Sequence, residues 1–386
     1  MFGKLFSKIN FWKSDKELKE NLEVYLSLAE KYFDEKNFSK ALFYLKGALK
    51  FNSDNVDILI KIGDTYSMSG KHETAIEYFL KAINNHPSDL RGYYKIAKIY
   101  SSHYEYQKAI EFYERILRIN QSETEASYSA AILYNKLNNT EKAISLLIDA
   151  VNHDSQFGKA YFELGKIFEK NGDLDKALIY YQKSISFDHS TPDPYFHLAL
   201  LYESKKLLEP AMSFYKKVLT IEPKFEPALF QVGQIYDEAG SKQIAIDFYL
   251  KALKLKPESI KTLNKIGVAY FDLSKFQISE EYFDKVISLD KENYTANYYK
   301  GLLLKRNHNF DAYIGKLEYL FNIDSNNSKI AFELFEAYLN NGKGELARKY
   351  LDKAAELGDS KAIELKKIKR LEPEDDFYDI LSSIEN

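Results

Sequence analysis

The chain of 386 residues contains no cysteine. That excludes a disulfide framework, a thiolate nucleophile, cysteine-ligated zinc or iron–sulfur clusters and a cysteine-linked lipid anchor. Proline and glycine are scarce, at 8 and 16 residues, and the aromatic share of 15% is too high for a disordered chain. No stretch approaches the length of a membrane-spanning apolar helix. Lys4 and Lys8 interrupt the segment from Met1 to Trp12, leaving no apolar core for a secretory signal, so the expected compartment is cytoplasmic. Neither sign of charge dominates, with 54 Lys and Arg against 57 Asp and Glu. Bulk charge therefore argues against nucleic acid, and six arginines beside 48 lysines leave few forked contacts for RNA.

Catalytic constellations are also missing. The histidines at 72, 86, 103, 153, 189, 197 and 308 are scattered, and none forms a helical pair around a glutamate, so no metal site is expected. Gly63 to Lys71 has some features of a phosphate loop, but the glycines are wrongly spaced and His72 stands where Ser or Thr would hold magnesium. Asp375 and Asp376 are adjacent carboxylates outside the patterned region, whereas acid–base chemistry needs fixed geometry and shifted pKa values. The expectation is a protein that is no enzyme and uses no cofactor.

What is present is repetition. Aligning LAEKYF at Leu28 with IGDTYS at Ile62 gives a step of 34 residues, and ten such repeats run without a gap from Leu22 to Lys361. Place eight of each repeat holds Ala29, Gly63, Ala97, Ala131, Gly165, Ala199, Gly233, Gly267, Gly301 and Phe335; place eleven is aromatic in every repeat but the ninth, which has Leu304. Place twenty is Ala from Ala41 to Ala245, then Ser279, Tyr313 and Ala347. At about 100° per residue, places four, seven, eight and eleven share one helical stripe, and places twenty, twenty-four and twenty-seven share a second. Turn residues such as Ser69-Gly70-Lys71 and Asn171-Gly172-Asp173 separate them, so each repeat reads as a helical hairpin.

This pattern resembles the tetratricopeptide repeat, with Gly63, Tyr66, Ala75, Phe79, Ala82 and Pro87 of the second repeat matching the family's diagnostic places. The resemblance implies an all-α fold, a right-handed superhelical α-solenoid of stacked helix-turn-helix hairpins whose first helices line a concave groove. It also implies a non-enzymatic scaffold that binds a peptide segment of another protein. Members that clamp a C-terminal carboxylate carry Lys at place five, which here is apolar, aromatic or Asn264, so that activity is not expected.

Four segments follow: an amphipathic or capping stretch at 1–21, the repeats at 22–361, a capping helix at 362–371 and an acidic tail at 372–386. In the cap, Ala362, Ile363, Leu365, Ile368 and Leu371 would cover the last repeat while Lys366, Lys367, Lys369 and Arg370 face water. The tail has six acidic residues and no basic ones, set around Phe377, Tyr378, Ile380 and Leu381. It reads as a solubilising tail, a docked helix or a linear motif for a partner or for this chain's own groove. Repeat nine departs most from the pattern, with Asn297 and Lys300 at core places and Tyr313 where a small residue stands elsewhere. Its packing is expected to be the weakest, either as drift held by its neighbours or as a hinge.

On the first helices, places two, five, nine and twelve point away from the hairpin seam. Place five holds Tyr94, Tyr128, Phe162, Phe196 and Phe230 in successive repeats, which reads as an exposed ring ladder; packing against the next repeat is the alternative. Arg91, Lys98, Lys159 and Lys166 flank it, with Asp193, Glu203 and Asp237 beyond, so the expected partner is a peptide with apolar side chains and acidic flanks.

At the other end, Phe2, Leu5, Phe6 and Ile9 share a helical face followed by Trp12, the pattern of a helix at a membrane surface and also of a cap on the first repeat. The competing function is then a membrane-peripheral assembly factor anchored by residues 1–13. Deleting residues 1–13 separates these readings: a cap predicts a lower melting temperature, an anchor predicts unchanged melting with loss of liposome binding.

Overall fold

The structure, a computed structural model, describes residues 15–368, in which twenty-one helices and no strand are found. The chain divides into two compact halves, residues 1–201 and 202–386. Both are built from the same helical hairpin. The first helix of a repeat starts at place one, as in Val56–Met68 and Tyr294–Arg306, and the second at place seventeen, as in His72–Asn85 and Phe310–Ile323. Repeat one differs, since its first helix, Asp15–Asp34, begins ahead of place one at Leu22.

Each hairpin turns at place fifteen, where every residue from Lys36 to Gly342 lies in the left-handed region, with φ between 56° and 81°. The amide of the next residue then donates back to the carbonyl of place eleven, as Lys71 does to Tyr66 at 2.9 Å and Lys275 to Tyr270 at 2.9 Å. This bond satisfies a carbonyl that the helix end would otherwise orphan. Only four of the ten turn positions are glycine. The others, such as Tyr104 and Ser274, adopt a conformation that costs an L-residue roughly 1–2 kcal/mol.

Helix separation within the hairpin is set where place eight meets place twenty-four. A Cβ built on Gly233 would lie 2.7 Å from the Tyr249 ring, and one on Gly267 would lie 2.7 Å from Phe283. Glycine there lets a whole ring lie on the facing backbone, so Phe79, Tyr181, Tyr249 and Phe283 are all completely buried. A second contact clasps the hairpin beside this one. The ring at place eleven stacks on the ring at place twenty-three: Tyr32 on Tyr44 and Phe168 on Tyr180 in the first half, Tyr236 on Phe248 and Tyr338 on Tyr350 in the second, with centroids 5.4–5.8 Å apart. Lysines lie over these rings, among them Lys40 over Tyr32 and Lys251 over Phe248, each 4.7 Å from the centroid. Their stems cover apolar surface while the charge stays in water.

Neighbouring repeats are tied by polar groups drawn from fixed places. The place-eleven hydroxyl reaches place twenty-five of the preceding repeat: Tyr66 accepts from Lys46 at 2.7 Å and Tyr134 donates to Glu114 at 2.6 Å. A deeper tie joins place twelve, place twenty-four and place six of the following repeat. Glu169 accepts from the Tyr181 hydroxyl at 2.5 Å and from Nδ1 of His197 at 2.8 Å. The His197 bond, with Tyr181 assisting against the cost of burial, holds the Glu169 carboxyl below its ordinary pKa. In the second half, Glu203 accepts from Tyr215 at 2.5 Å and from Gln231 at 3.5 Å, and two repeats later the tie is apolar, with Tyr299 stacked 5.2 Å from Phe283 and edge-on to Phe271.

Repeat nine is looser at its seam. A Cβ on Gly301 would lie 3.5 Å from Tyr313 and Lys316, because Tyr313 at place twenty props the helices apart. Its polar core groups are nevertheless matched. Asn297 donates to the carbonyls of Lys291 and Asn293 at 2.9 Å and accepts from Lys316 at 2.8 Å, while Lys300 pairs with Glu280 and Asp284. Beyond repeat ten, the helix Ser360–Ile368 buries Ala362, sets Leu365 against the last hairpin and pairs Lys366 with Asp352 at 2.6 Å. Residues 369–371 of the expected cap lie outside the described residues.

Two glycines of the second half should respond oppositely to alanine. Gly233→Ala forces a methyl against Tyr249 and should destabilise by about 1–3 kcal/mol. Gly315 has open space where its Cβ would stand on the helix Phe310–Ile323, so Gly315→Ala should stabilise by about 0.5–1 kcal/mol. Urea unfolding of the two variants checks both signs.

Candidate functional site

The first helices bury one stripe in the hairpin seam and leave a second face whose residues are not needed to join the hairpin. In the first half the rings at place five stand on this face, but the free-standing ladder expected from sequence is not what forms. Tyr94, Tyr128, Phe162 and Phe196 are half-buried. The Tyr94 ring meets Tyr113 of its own second helix edge-on at 6.1 Å, and its hydroxyl donates to Glu123 at 3.1 Å. Tyr128 packs edge-on to Phe157 at 5.5 Å; burial, with Glu163 and Glu125 adding, pushes its hydroxyl up to about 12. Phe162 lies 5.7 Å from Tyr181 and 5.5 Å from His197, so it rests on the carboxylate tie of Glu169. Phe196 lies against His197. In the second half Phe230 is only 5% exposed, packed on Tyr249 beneath Lys261. Large rings at this spacing fill the gap to the neighbouring helices, which is why the exposure expected of them is reduced.

The basic stripe is likewise altered by its partners. Arg91 pairs with Asp57 and Asp89 at 2.7 Å, and its hydrogen bonds hold the Asp89 carboxyl below its ordinary pKa. Lys159 faces Glu125 at 3.7 Å, and Lys166 pairs with Glu163 at 3.0 Å while lying over the Phe162 ring. Lys98 is exposed and has no ion-pair partner among the described residues. Of the acidic groups beyond, Asp237 is held by Lys242 at 2.7 Å and by Lys265 at 3.7 Å. The charges of this stripe are thus mostly paired within the chain. Phe2, Leu5, Phe6, Ile9 and Trp12, proposed for membrane contact, lie outside the described residues, as does the acidic tail.

Sequence reasoning missed a pair of depressions in the first half. One, of about 270 Å³, opens between Ala29, Phe33, Leu45 and Lys61; the other, of about 360 Å³, has Phe79 in its lining together with Ser67, Met68, Lys95 and Lys98. Phe33 and Asp64 border both, so they adjoin. For the second of them, the signal available in sequence was place twelve. That place carries glutamate in repeats five and six, where it reaches the buried tyrosine, but only Ser67 in repeat two. Serine is too short to span the same gap.

Among the described residues no group of three or more His, Asp and Glu side chains could hold a metal ion, and no helix is long and apolar enough to cross a membrane.

Comparison with known proteins places the hairpins in a family. Tetratricopeptide-repeat models match residues 56–89, 90–123, 192–225, 226–259 and 260–293, and a second such model matches 158–190. No curated protein matches the sequence. Among solved structures, MamA is 28% identical, with 42% of this chain and 95% of its own covered at a TM-score of 0.39. YrrB, described as a TPR protein with an unusual peptide-binding site, is 23% identical, with 48% of this chain and 95% of its own covered at a TM-score of 0.39. A tetratricopeptide-repeat protein from Parabacteroides merdae is 20% identical, with 65% of this chain and 99% of its own covered at a TM-score of 0.46. The matched repeats cover more than half of the sequence and fall in the register of the helices, and the chain belongs to the tetratricopeptide-repeat family.

Proposed function

We propose that the chain is a protein-interaction scaffold that captures a peptide segment of a partner on the free face of its first helices, across repeats three to five. The family is generally one of non-enzymatic interaction scaffolds, which supports binding over catalysis. The observation that carries the reading is the half-burial of Tyr94, Tyr128 and Phe162 at one place in three successive repeats. Each ring is held on one side by its own hairpin and keeps its other side available, so it offers apolar area with little rotamer entropy left to lose. Lys98 supplies a cation for an acidic flank of the peptide, and the pairs Lys159–Glu125 and Lys166–Glu163 fix the lysines that border the rings. The same pairing argues against nucleic acid, because phosphates would have to displace carboxylates already in place.

Replacing Tyr94, Tyr128 and Phe162 together by alanine should abolish copurification of the native partner while circular dichroism shows retained helix. Single replacements should weaken it by about 1 kcal/mol or more each. Copurification that survives the triple replacement would refute this placement of the site.

A further inference from the structure

Repeat nine places two lysines in a seam that is apolar at the same places of every other repeat. Place seven holds Lys300 and place twenty-three holds Lys316, where the other nine repeats carry Ala, Val, Leu or Ile at the first and Leu, Phe or Tyr at the second. The two ammonium groups have different surroundings. Lys300 pairs with Glu280 at 2.7 Å and Asp284 at 2.9 Å, both on the second helix of repeat eight. Lys316 is half-buried, and its hydrogen bond goes to the neutral amide oxygen of Asn297 at 2.8 Å. The Tyr319 ring lies 5.7 Å from its ammonium, and it has no carboxylate partner among the described residues. Burial, with the like charge of Lys300 adding and Asp284 opposing, holds the Lys316 amine below the ordinary lysine pKa. Lys46, Lys108, Lys176, Lys242 and Lys300, each beside a tyrosine hydroxyl or a carboxylate, are pushed the other way. A desolvated amine beside a second cation keeps more of its neutral, nucleophilic form. There is also room for a larger group, since Gly315 beside it has open space where a Cβ would stand.

We propose that Lys316 is a site of covalent modification, acylated by small acyl phosphates, and that this modification is independent of peptide capture. The neutral amine attacks the acyl carbon. A C–N bond forms, the C–O bond to phosphate breaks, phosphate leaves with the electron pair, and the surplus proton of the amine passes to water. The product amide retains one N–H, which keeps the hydrogen bond to Asn297, while the positive charge near Lys300 is removed. Acylation thus relieves both the burial of one charge and its repulsion by another. It tightens the looser seam of repeat nine instead of disrupting it.

The test exposes the folded full-length chain to a limiting amount of acetyl phosphate and follows acetylation at each lysine by peptide mass spectrometry. Lys316 should react about threefold or more faster than the exposed Lys224 and Lys291, and the advantage should vanish in denaturing urea, where all lysines share one environment. It should also shrink as pH rises from about 7 to about 10, because the reference amines still gain neutral form where Lys316 has already lost its proton. Lys300→Gln removes the like charge and leaves Asp284 to act on Lys316, so the rate at Lys316 should fall by about threefold or more. Asp284→Asn removes the opposing carboxylate and should raise that rate, and a seam that was merely loosened would not move it in both directions. Acetyllysine installed at position 316 should raise the midpoint of urea unfolding. A rate at Lys316 no greater than at Lys224 and Lys291, or one unmoved by both substitutions, overturns the proposal, and a lowered urea midpoint overturns the tightening.

Discussion

A tyrosine or phenylalanine ring can lie across the backbone of a facing helix only if no side chain projects from the point where it lands. In repeats two, five, seven and eight that point is a glycine at place eight, and the ring at place twenty-four is wholly excluded from water. The close approach that follows brings places eleven and twenty-three to stacking distance and lets place twelve reach the next repeat. Where the fit is altered, the consequences appear together. Tyr313 at place twenty opens the seam around Gly301, and repeat nine then uses amide and ammonium groups, Asn297 and Lys300, to fill and satisfy its core. Unsatisfied buried groups of this kind would cost about 1–3 kcal/mol each, so the matching is a condition for keeping them.

Because the seam uses only one stripe of each first helix, the opposite face is free to vary. Its rings are not bare. They lean on their own hairpins and on the neighbouring helix, which restricts their rotamers. The carboxylates at place twelve have two effects at once. Glu169 ties two repeats through Tyr181 and His197, and by doing so it fills space that remains open beside Ser67.

Most of the fold was legible in the sequence because a period repeated ten times averages out the ambiguity of any single helix. Gly63, Tyr66 and Ala75 announce the seam, and every helix of repeats three to ten starts at the place their register dictates. The turns were less legible. Glycine marks Gly70 and Gly172, but Lys36, Tyr104 and Ser274 take the same left-handed conformation with nothing local to announce it, because the repeat imposes it. The candidate site was the least legible part. Tyr94 and Phe162 were found at the right place, yet their burial depends on Tyr113, Tyr181 and His197, which come from other helices. The depressions are lined by side chains of three successive repeats, among them Phe33, Ser67 and Lys98, and one copy of a pattern does not display what its neighbours bring to the same place.

The claim that place eight and place twenty-four form one unit of fit is tested most directly by a double-mutant cycle on Gly233→Ala and Tyr249→Leu, read by equilibrium urea unfolding. Repeats one and four already pair alanine with leucine there, as Ala29 with Leu45 and Ala131 with Leu147. The account predicts that Gly233→Ala costs less in the leucine background, with a coupling of about 1 kcal/mol or more. Effects that add to within about 0.3 kcal/mol would contradict it.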